Sequence, residues 1–478
     1  MTLRWPGIPG VFFCLVVILF VIFSVSSSFF FRDGDSSWLI KTGLYIIDHG
    51  QLPRQDVIFE NEISQDWVLY QWGFEVLLGV AYQWAGLNGV VFFSAILIAA
   101  TVLLICYWLF EKGFHGPSVA FVGLVSFKAL LLYASARPFL ITNLFTILLL
   151  YLLEKPSLRH SQRLVLIPLL FLVWANLHIG FMGGLLILTL FIGFDLPKVP
   201  KQERHLHLMT LGLSLLATGV NPYGFGLHAY LLQLAQSPEM MNRISELKSI
   251  NFHNNPFVLF HILFTIAALA YAGSDRRLTE THVVFLLMSL GFALYSIRHY
   301  YLFIFASAPV AAAFFERVTS QLPILGENSK NHLRRWKGDN ALVVVITLLA
   351  AALVTQTGIQ SFRFSENEFP IQAVQFLKAR PSIGPIFTGG QWGSYLAWDS
   401  GHRALMDSRF DMYGDAYVKD YHEVYDLRKD WRPFFEKYNI RYALLPTDNP
   451  LSRALQTDRA SRWEVLYQDP QAILLHQP

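Results

Sequence analysis

Runs of apolar residues long enough to cross a hydrocarbon layer recur along almost the whole chain, and little else can be built from them but a bundle of membrane helices. They fall at 8–30, 89–110, 117–133, 138–153, 164–177, 180–196, 206–220, 256–272, 282–297, 300–315 and 341–357, which makes about eleven spans for a core about 30 Å thick. Composition agrees: 54% of residues are apolar and 15% charged, well short of the quarter usual in soluble domains. The formal charge of +3 carries no basic, aromatic-interleaved cluster, so nucleic acid is not expected as a partner. Cys14 and Cys106 both lie inside apolar runs, and no disulfide framework is expected. Arg4 and the small residues Ser24 to Ser28 give the first run some features of a signal peptide, but its length favours a retained anchor.

Lys and Arg in short loops set orientation. With Arg4 inside, the loops 154–163, 197–205, 274–280 and 316–337 all fall on the cytoplasmic side. They carry Lys155, Arg159, Lys198, Lys201, Arg276, Arg277, Lys330, Arg334, Arg335 and Lys337. The N-terminus is then cytoplasmic. The 31–88 loop, the turns near Arg137, His178 and Arg298, the 221–255 loop and everything after Gly358 are extracytoplasmic.

Polar chemistry collects on that outer side. In the 31–88 loop, Trp38, Thr42, Tyr45, Ile46 and His49 recur at helical spacing, which predicts an amphipathic helix on the membrane surface ending at Gly50. Asp33 and Asp35 stand at its start. Asp35 reads as the helix N-cap and Asp33 as a turn residue, although a capping carboxylate held ionised by helix N–H groups can also accept a proton or bind a cation. Asp56 follows Pro53 in a turn, and Glu60, Glu62 and Asp66 read as loop acids. A second semi-polar helix is expected over 68–84.

Other outward span ends add Arg137, Asn176, His178, Asn221, Tyr223 and Arg298. Ionisable groups at membrane depth are costly, so they raise a functional hypothesis, against the alternative that the arginines merely snorkel to headgroups. A guanidinium there suits a phosphate or pyrophosphate.

Beyond residue 358 the pattern becomes that of a small α/β domain of about 110 residues. "FPIQAVQFLKAR", "WGSYLAW", "DWRPFFEKYN" and "NPLSRALQT" read as helices. "GPIFTG", "HRALMDSR", "IRYALLP", "WEVLYQD" and "AILLHQ" read as strands. "FTGGQWGSY" lacks the G-x-G-x-x-G spacing of a phosphate loop, so nucleotide binding is not expected. The knot Asp407, Arg409, Asp411 and Tyr413 reads as an ion-paired loop.

In order along the chain stand Asp33, Asp35, Trp38, Thr42-Gly43, His49-Gly50, Pro53, Asp56, Trp67, Trp72 and Glu75. Arg137-Pro138, Trp174 to His178, Asn221 to Gly224, Trp392 to Tyr395 and Asp407 to Tyr413 follow. That order resembles bacterial polytopic membrane proteins of the GT-C glycosyltransferase type, which use lipid-linked sugar donors, and the resemblance covers nearly the whole length. The sequence departs from the pattern at Leu39 and Gln71, where similar proteins often carry His and Glu.

The resemblance implies a mainly α, GT-C-like polytopic membrane domain over 1–357 and an extracytoplasmic α/β domain over 358–478, in a bacterial inner membrane. It implies transfer of a sugar from a polyprenyl-phosphate donor to a glycan, lipid or protein acceptor at the cell surface. Asp35, then Asp56, with Asp33 beside them, would be catalytic; Arg137, Asn176, His178, Asn221, Tyr223, Arg298, Glu75 and Trp38 would bind substrate. No cofactor is required by this reading, and a divalent cation is left open. A transporter or flippase for lipid-linked saccharides, or a partner in an assembly complex, is the alternative.

Overall fold

A computed structural model describes residues 27–57, 66–132, 134–321, 361–381 and 383–478. The expected span at 341–357, nearly all of the one at 8–30, and Cys14, Glu60 and Glu62 lie outside the described residues. What is described is mostly helical, with one small sheet.

Every expected span inside the described residues has its helix. These are α2 (Trp72–Glu111), α3 (Gly116–Leu131), α4 (Phe139–Glu154), α5 (His160–Leu177), α6 (Phe181–Asp195), α7 (Arg204–Thr218), α10 (Pro256–Ala272), α11 (Glu280–Tyr295) and α12 (Tyr300–Gln321). By length and composition alone, Trp72–Glu111, His160–Leu177 and Ile297–Gln321 are long and apolar enough to cross a membrane; α3, α4, α6, α10 and α11 are apolar but shorter. Leu124, Val165, Phe260 and Leu287 are each more than half exposed on the outside of this bundle, where lipid rather than water suits them.

Helix α1 (Asp35–His49) forms where the periodicity predicts and ends on Gly50 in the left-handed conformation, φ 67°. Two expectations for it fail. Its N-cap is Gly34 and no side chain caps it; Asp33 Oδ1 instead accepts the Asp35 N–H at 3.1 Å, and the Asp35 carboxylate is spent elsewhere. Nor does α1 simply float on a membrane surface, because Ser36, Ser37, Thr42 and Gly43 are buried along with Trp38, Leu39 and Ile40. One side lies so tightly against α2 that a Cβ on Gly43 would stand 1.9 Å from the Glu75 carbonyl oxygen. On the other side Lys41 Nζ donates to the Ala397 carbonyl at 3.0 Å, so the C-terminal region covers what periodicity assigns to solvent.

The expected 68–84 helix begins at Trp72 and runs on into the following span, with a break at Ala85–Gly86, where Gly86 takes φ 60°, ψ −145°. The 221–255 loop carries two short helices, α8 (Gly226–Ala235) and α9 (Pro238–Arg243), and a single turn over Ser245–Leu247.

The C-terminal region begins by pairing with the foot of the bundle: Arg363 N donates to Ser27 O and Ser365 N to Phe31 O. It then builds α13 (Ile371–Lys378), β1 (Ile386–Thr388), α14 (Gly390–Asp399), α15 (Asp415–Tyr425), α16 (Arg432–Lys437), β2 (Tyr442–Pro446), α17 (Pro450–Thr457), β3 (Glu464–Gln468) and β4 (Ala472–His476). The sheet order is β1-β2-β4-β3, with β1 parallel to β2 and the other pairs antiparallel. The strand expected in "HRALMDSR" shrinks to one bridge, Ile386 with Ala404. Asp407 Oδ1 accepts the Arg409 N–H at 2.7 Å, and that side-chain turn takes the chain out of the sheet. Helix α15 is an addition; its buried Tyr417, Val418, Tyr421 and Val424 carry the helical period.

Candidate functional site

Spans that cross a bundle in alternate directions bring alternate turns to one end. The turn before α4 delivers Arg137, the turn before α12 delivers Arg298, and the start of α1 delivers Asp33 and Asp35. Arg137 is the hub. Its Nη2 lies 2.7 Å from Asp35 Oδ2 and its Nη1 3.9 Å from Asp33 Oδ2, while Nη1 also donates to Glu246 Oε1 at 2.5 Å. Glu246 reaches on to Arg298, with Oε2 3.5 Å from Nη2. Three carboxylates thus surround one guanidinium, and one of them bridges to a second. Their company holds Arg137 protonated more firmly than an isolated arginine, against the opposing effect of burial.

The two aspartates differ. Both Asp35 oxygens are engaged: Oδ2 with Arg137, and Oδ1 with Ser408 Oγ at 2.6 Å and Trp38 Nε1 at 3.4 Å. Asp33 is looser, with 24% of its side-chain surface open against 13% for Asp35. Lost hydration pushes the Asp33 carboxyl up to about 6; Arg137 opposes this, and the negative charges of Asp35 and Glu246 add to it.

A second cluster lies deeper. Asp56 Oδ1 is 2.9 Å from Arg409 Nη2, and Arg409 Nε donates to Asp407 Oδ2 at 2.9 Å, all three side chains being almost wholly buried. The Arg409 guanidinium lies 4.8 Å over the Trp67 ring. The Trp67 ring in turn meets Trp38 edge-on at 6.1 Å, so one tryptophan pair lies between the two clusters. Asp56, expected as second choice of base, is therefore tied into an internal ion pair and apart from the Arg137 hub.

The other expected residues do architectural work. Asn176 Oδ1 accepts from Trp72 Nε1 at 3.2 Å, while its amide donates to the Leu172 and Val220 carbonyls. Asn221 accepts the Tyr223 N–H and donates to the Thr218 and Gly224 carbonyls, shaping a turn. Tyr223 OH accepts the Leu69 N–H at 2.8 Å. Trp174 Nε1 donates to Thr142 Oγ1, and because His178 Nδ1 accepts the Gly180 N–H at 3.4 Å, the Thr142 hydroxyl is the donor to that same nitrogen at 2.7 Å. Burial and the two nearby arginines push His178 down to about 3, so it stays neutral. Glu75 is wholly buried in α2 beside Gln71.

Two participants were not anticipated, Glu246 and Ser408, while Asp411, expected within an ion-paired loop, meets a tyrosine. Asp411 Oδ2 accepts from Tyr230 OH at 2.9 Å and so fastens the C-terminal region to α8. Neither Glu246 nor Ser408 belongs to a periodic pattern that would have exposed it. As for a divalent cation, among the described residues no group of three or more His, Cys, Asp or Glu could hold one. The place such an ion would take among Asp33, Asp35 and Glu246 is filled by the Arg137 guanidinium, so this donor set does not fit the divalent cation left open by the sequence.

The fold resembles that of solved GT-C glycosyltransferases. It matches archaeal oligosaccharyltransferase AglB from Archaeoglobus fulgidus, solved with an inhibitory peptide and a dolichol-phosphate, at TM-score 0.59 and 12% identity over 93% of this chain and 69% of that one. The Archaeoglobus fulgidus oligosaccharyltransferase tethered to an acceptor peptide containing the NVT sequon matches at TM-score 0.58 and 11% identity, over 92% and 68%. ArnT from Cupriavidus metallidurans bound to undecaprenyl phosphate matches at 0.55 and 12%, over 99% of this chain and 98% of that one. No protein-family model and no curated protein matches the chain.

Proposed function

We propose that the chain is a membrane glycosyltransferase taking a sugar from a polyprenyl-phosphate donor to a glycan, lipid or protein acceptor at the cell surface. Its bundle would be inserted as about eleven spans, with the site and the 358–478 domain on the extracytoplasmic side. The observation that carries this reading is the Glu246 carboxylate held between Arg137 and Arg298. An anion already sits between two permanently charged forks, and a lipid phosphate has the charge and oxygen geometry to take its seat. The fold's neighbours solved with dolichol-phosphate and undecaprenyl phosphate support a donor of that class.

In the reaction the acceptor oxygen forms a bond to the anomeric carbon as that carbon's bond to phosphate breaks. The electron pair leaves on the phosphate, where Arg137 and Arg298 offset its charge. The acceptor's proton goes to Asp33, whose raised pKa and open face suit a base working near neutrality. Asp35 keeps Arg137 oriented. This reverses the order of the two aspartates expected from sequence and removes Asp56 from the reaction. No step is routed through a metal ion.

The test uses purified protein and a panel of monosaccharides linked to undecaprenyl phosphate, with water as the default acceptor. Release of sugar from at least one donor, lost in Arg137→Ala and Asp33→Asn, is the expected result. Binding and passage of intact donor across a bilayer without cleavage would make the chain a transporter instead.

A further inference from the structure

The loop between Ala404 and α15 belongs to the C-terminal region, yet its Ser408 reaches the first charged turn of α1. Ser408 Oγ stands 2.6 Å from Asp35 Oδ1 and 2.9 Å from Ser394 Oγ. A carboxylate can only accept, so the Ser408 proton points at Asp35, and the proton between the two hydroxyls comes from Ser394, whose Oγ also lies 3.3 Å from the Gly390 carbonyl oxygen, the longer of its two acceptor contacts. Ser394 is fixed in its turn: it is buried in α14 and its Oγ accepts the Ser408 N–H at 3.2 Å. Three residues before it, the Gln391 side-chain oxygen accepts the Gly34 N–H. Gly34 has no room for anything larger, since a Cβ there would lie 2.7 Å from the Gln391 carbonyl oxygen. The turn carrying both aspartates is therefore gripped from the far end of the sequence.

We infer that Ser408, oriented by Ser394, is a positioning residue for the transfer reaction. It fixes the rotation of the Asp35 carboxylate so that Oδ2 faces Arg137, and thereby presents the guanidinium to the donor phosphate. The C-terminal region is on this account a wall of the site. This inference rests on the donor chemistry proposed above.

Two readouts separate the inference from that chemistry. The first needs no substrate. Hydrogen exchange over residues 33–40 of the full-length protein in detergent rises several-fold in Ser408→Ala and returns to wild-type in Ser408→Thr, while the melting temperature is unchanged. Wild-type exchange in Ser408→Ala overturns the inference whether or not any donor is cleaved. The second readout is turnover of the active donor from the undecaprenyl-phosphate panel. Ser408→Ala lowers kcat on the order of tenfold with KM little changed, Ser408→Thr restores it, and Ser408→Ala adds nothing once Asp35 is already Asn. An equal loss in the Asp35→Asn background shows that Ser408 acts by another route and overturns it. If wild-type protein cleaves no donor in the panel, the proposed function fails, and hydrogen exchange still decides whether Ser408 governs Asp35.

Discussion

Two arginines organise the region where the bundle meets the C-terminal domain, and each is gripped by aspartates. Arg409 is sealed: its partners Asp56 and Asp407 are buried with it, and Trp67 covers its face. Arg137 is held by Asp33, Asp35 and Glu246 but keeps 16% of its side chain open, beside an Asp33 that is only partly paired. The chemistry of the pairs is alike, and only their access differs. A closed pair serves the fold, because breaking it strands a charge in a poor solvent. An open cluster with more acids than its hub needs has partners to give up, and an incoming phosphate can replace one of them.

The largest effects should separate the two arginines. Arg409→Ala leaves Asp56 and Asp407 facing each other without their cation and costs about 3–5 kcal/mol of stability, read in thermal or denaturant unfolding. Arg137→Ala, whose carboxylate partners are partly open to solvent, costs less stability than Arg409→Ala but lowers sugar transfer on the order of a hundred- to a thousand-fold. If both variants lose stability alike, the distinction drawn between the clusters is wrong.

Asp33 sharpens the comparison through pH. Asp33→Asn should reduce transfer by about a hundredfold or more. In the wild type, activity should climb as pH rises through about 6, since the base must be ionised. Stability runs the other way. The folded pKa is raised above the ordinary 3.8, so between those values the native state binds more protons than the unfolded chain, and stability falls as pH rises through that window. Asp33→Asn should abolish both dependences, and an activity profile flat from pH 5 to 8 would exclude Asp33 as the base.

The pattern of apolar runs disclosed the bundle because lipid-exposed and core faces demand the same residues over whole helices. Each of the nine runs within the described residues has its helix, and α1 ends on the expected Gly50. Periodicity could not tell what covers a helix. Lys41, which the periodicity leaves on the solvent side of α1, instead donates to the Ala397 carbonyl of the C-terminal region. Of the candidate residues at span ends, Asp33, Asp35 and Arg137 meet directly, and Arg298 joins them only through Glu246. Asn176, Asn221 and Tyr223 occupy equally suggestive ends, yet their polar atoms are used up on turns and loop ends. Glu246 and Ser408 were invisible because a contact 109 residues away in sequence, or 373, leaves no local signal.

Smaller effects should come from the edges of the cluster. Glu246→Gln removes the carboxylate that competes for the two arginines and should tighten undecaprenyl phosphate binding about tenfold, near 1.4 kcal/mol, by titration of purified protein. Asn176→Ala strips the partner from Trp72 Nε1 and should cost about 1–3 kcal/mol of stability, with kcat per folded molecule unchanged. A selective loss of kcat there would return Asn176 to the reacting groups.

The most direct test of the exchange at the Arg137 hub is a structure of the full-length protein with undecaprenyl phosphate bound. The account predicts the phosphate between Arg137 and Arg298, with the Glu246 carboxylate displaced and the Asp35 to Arg137 pair kept. A phosphate bound elsewhere, with Glu246 still bridging the two arginines, would contradict it.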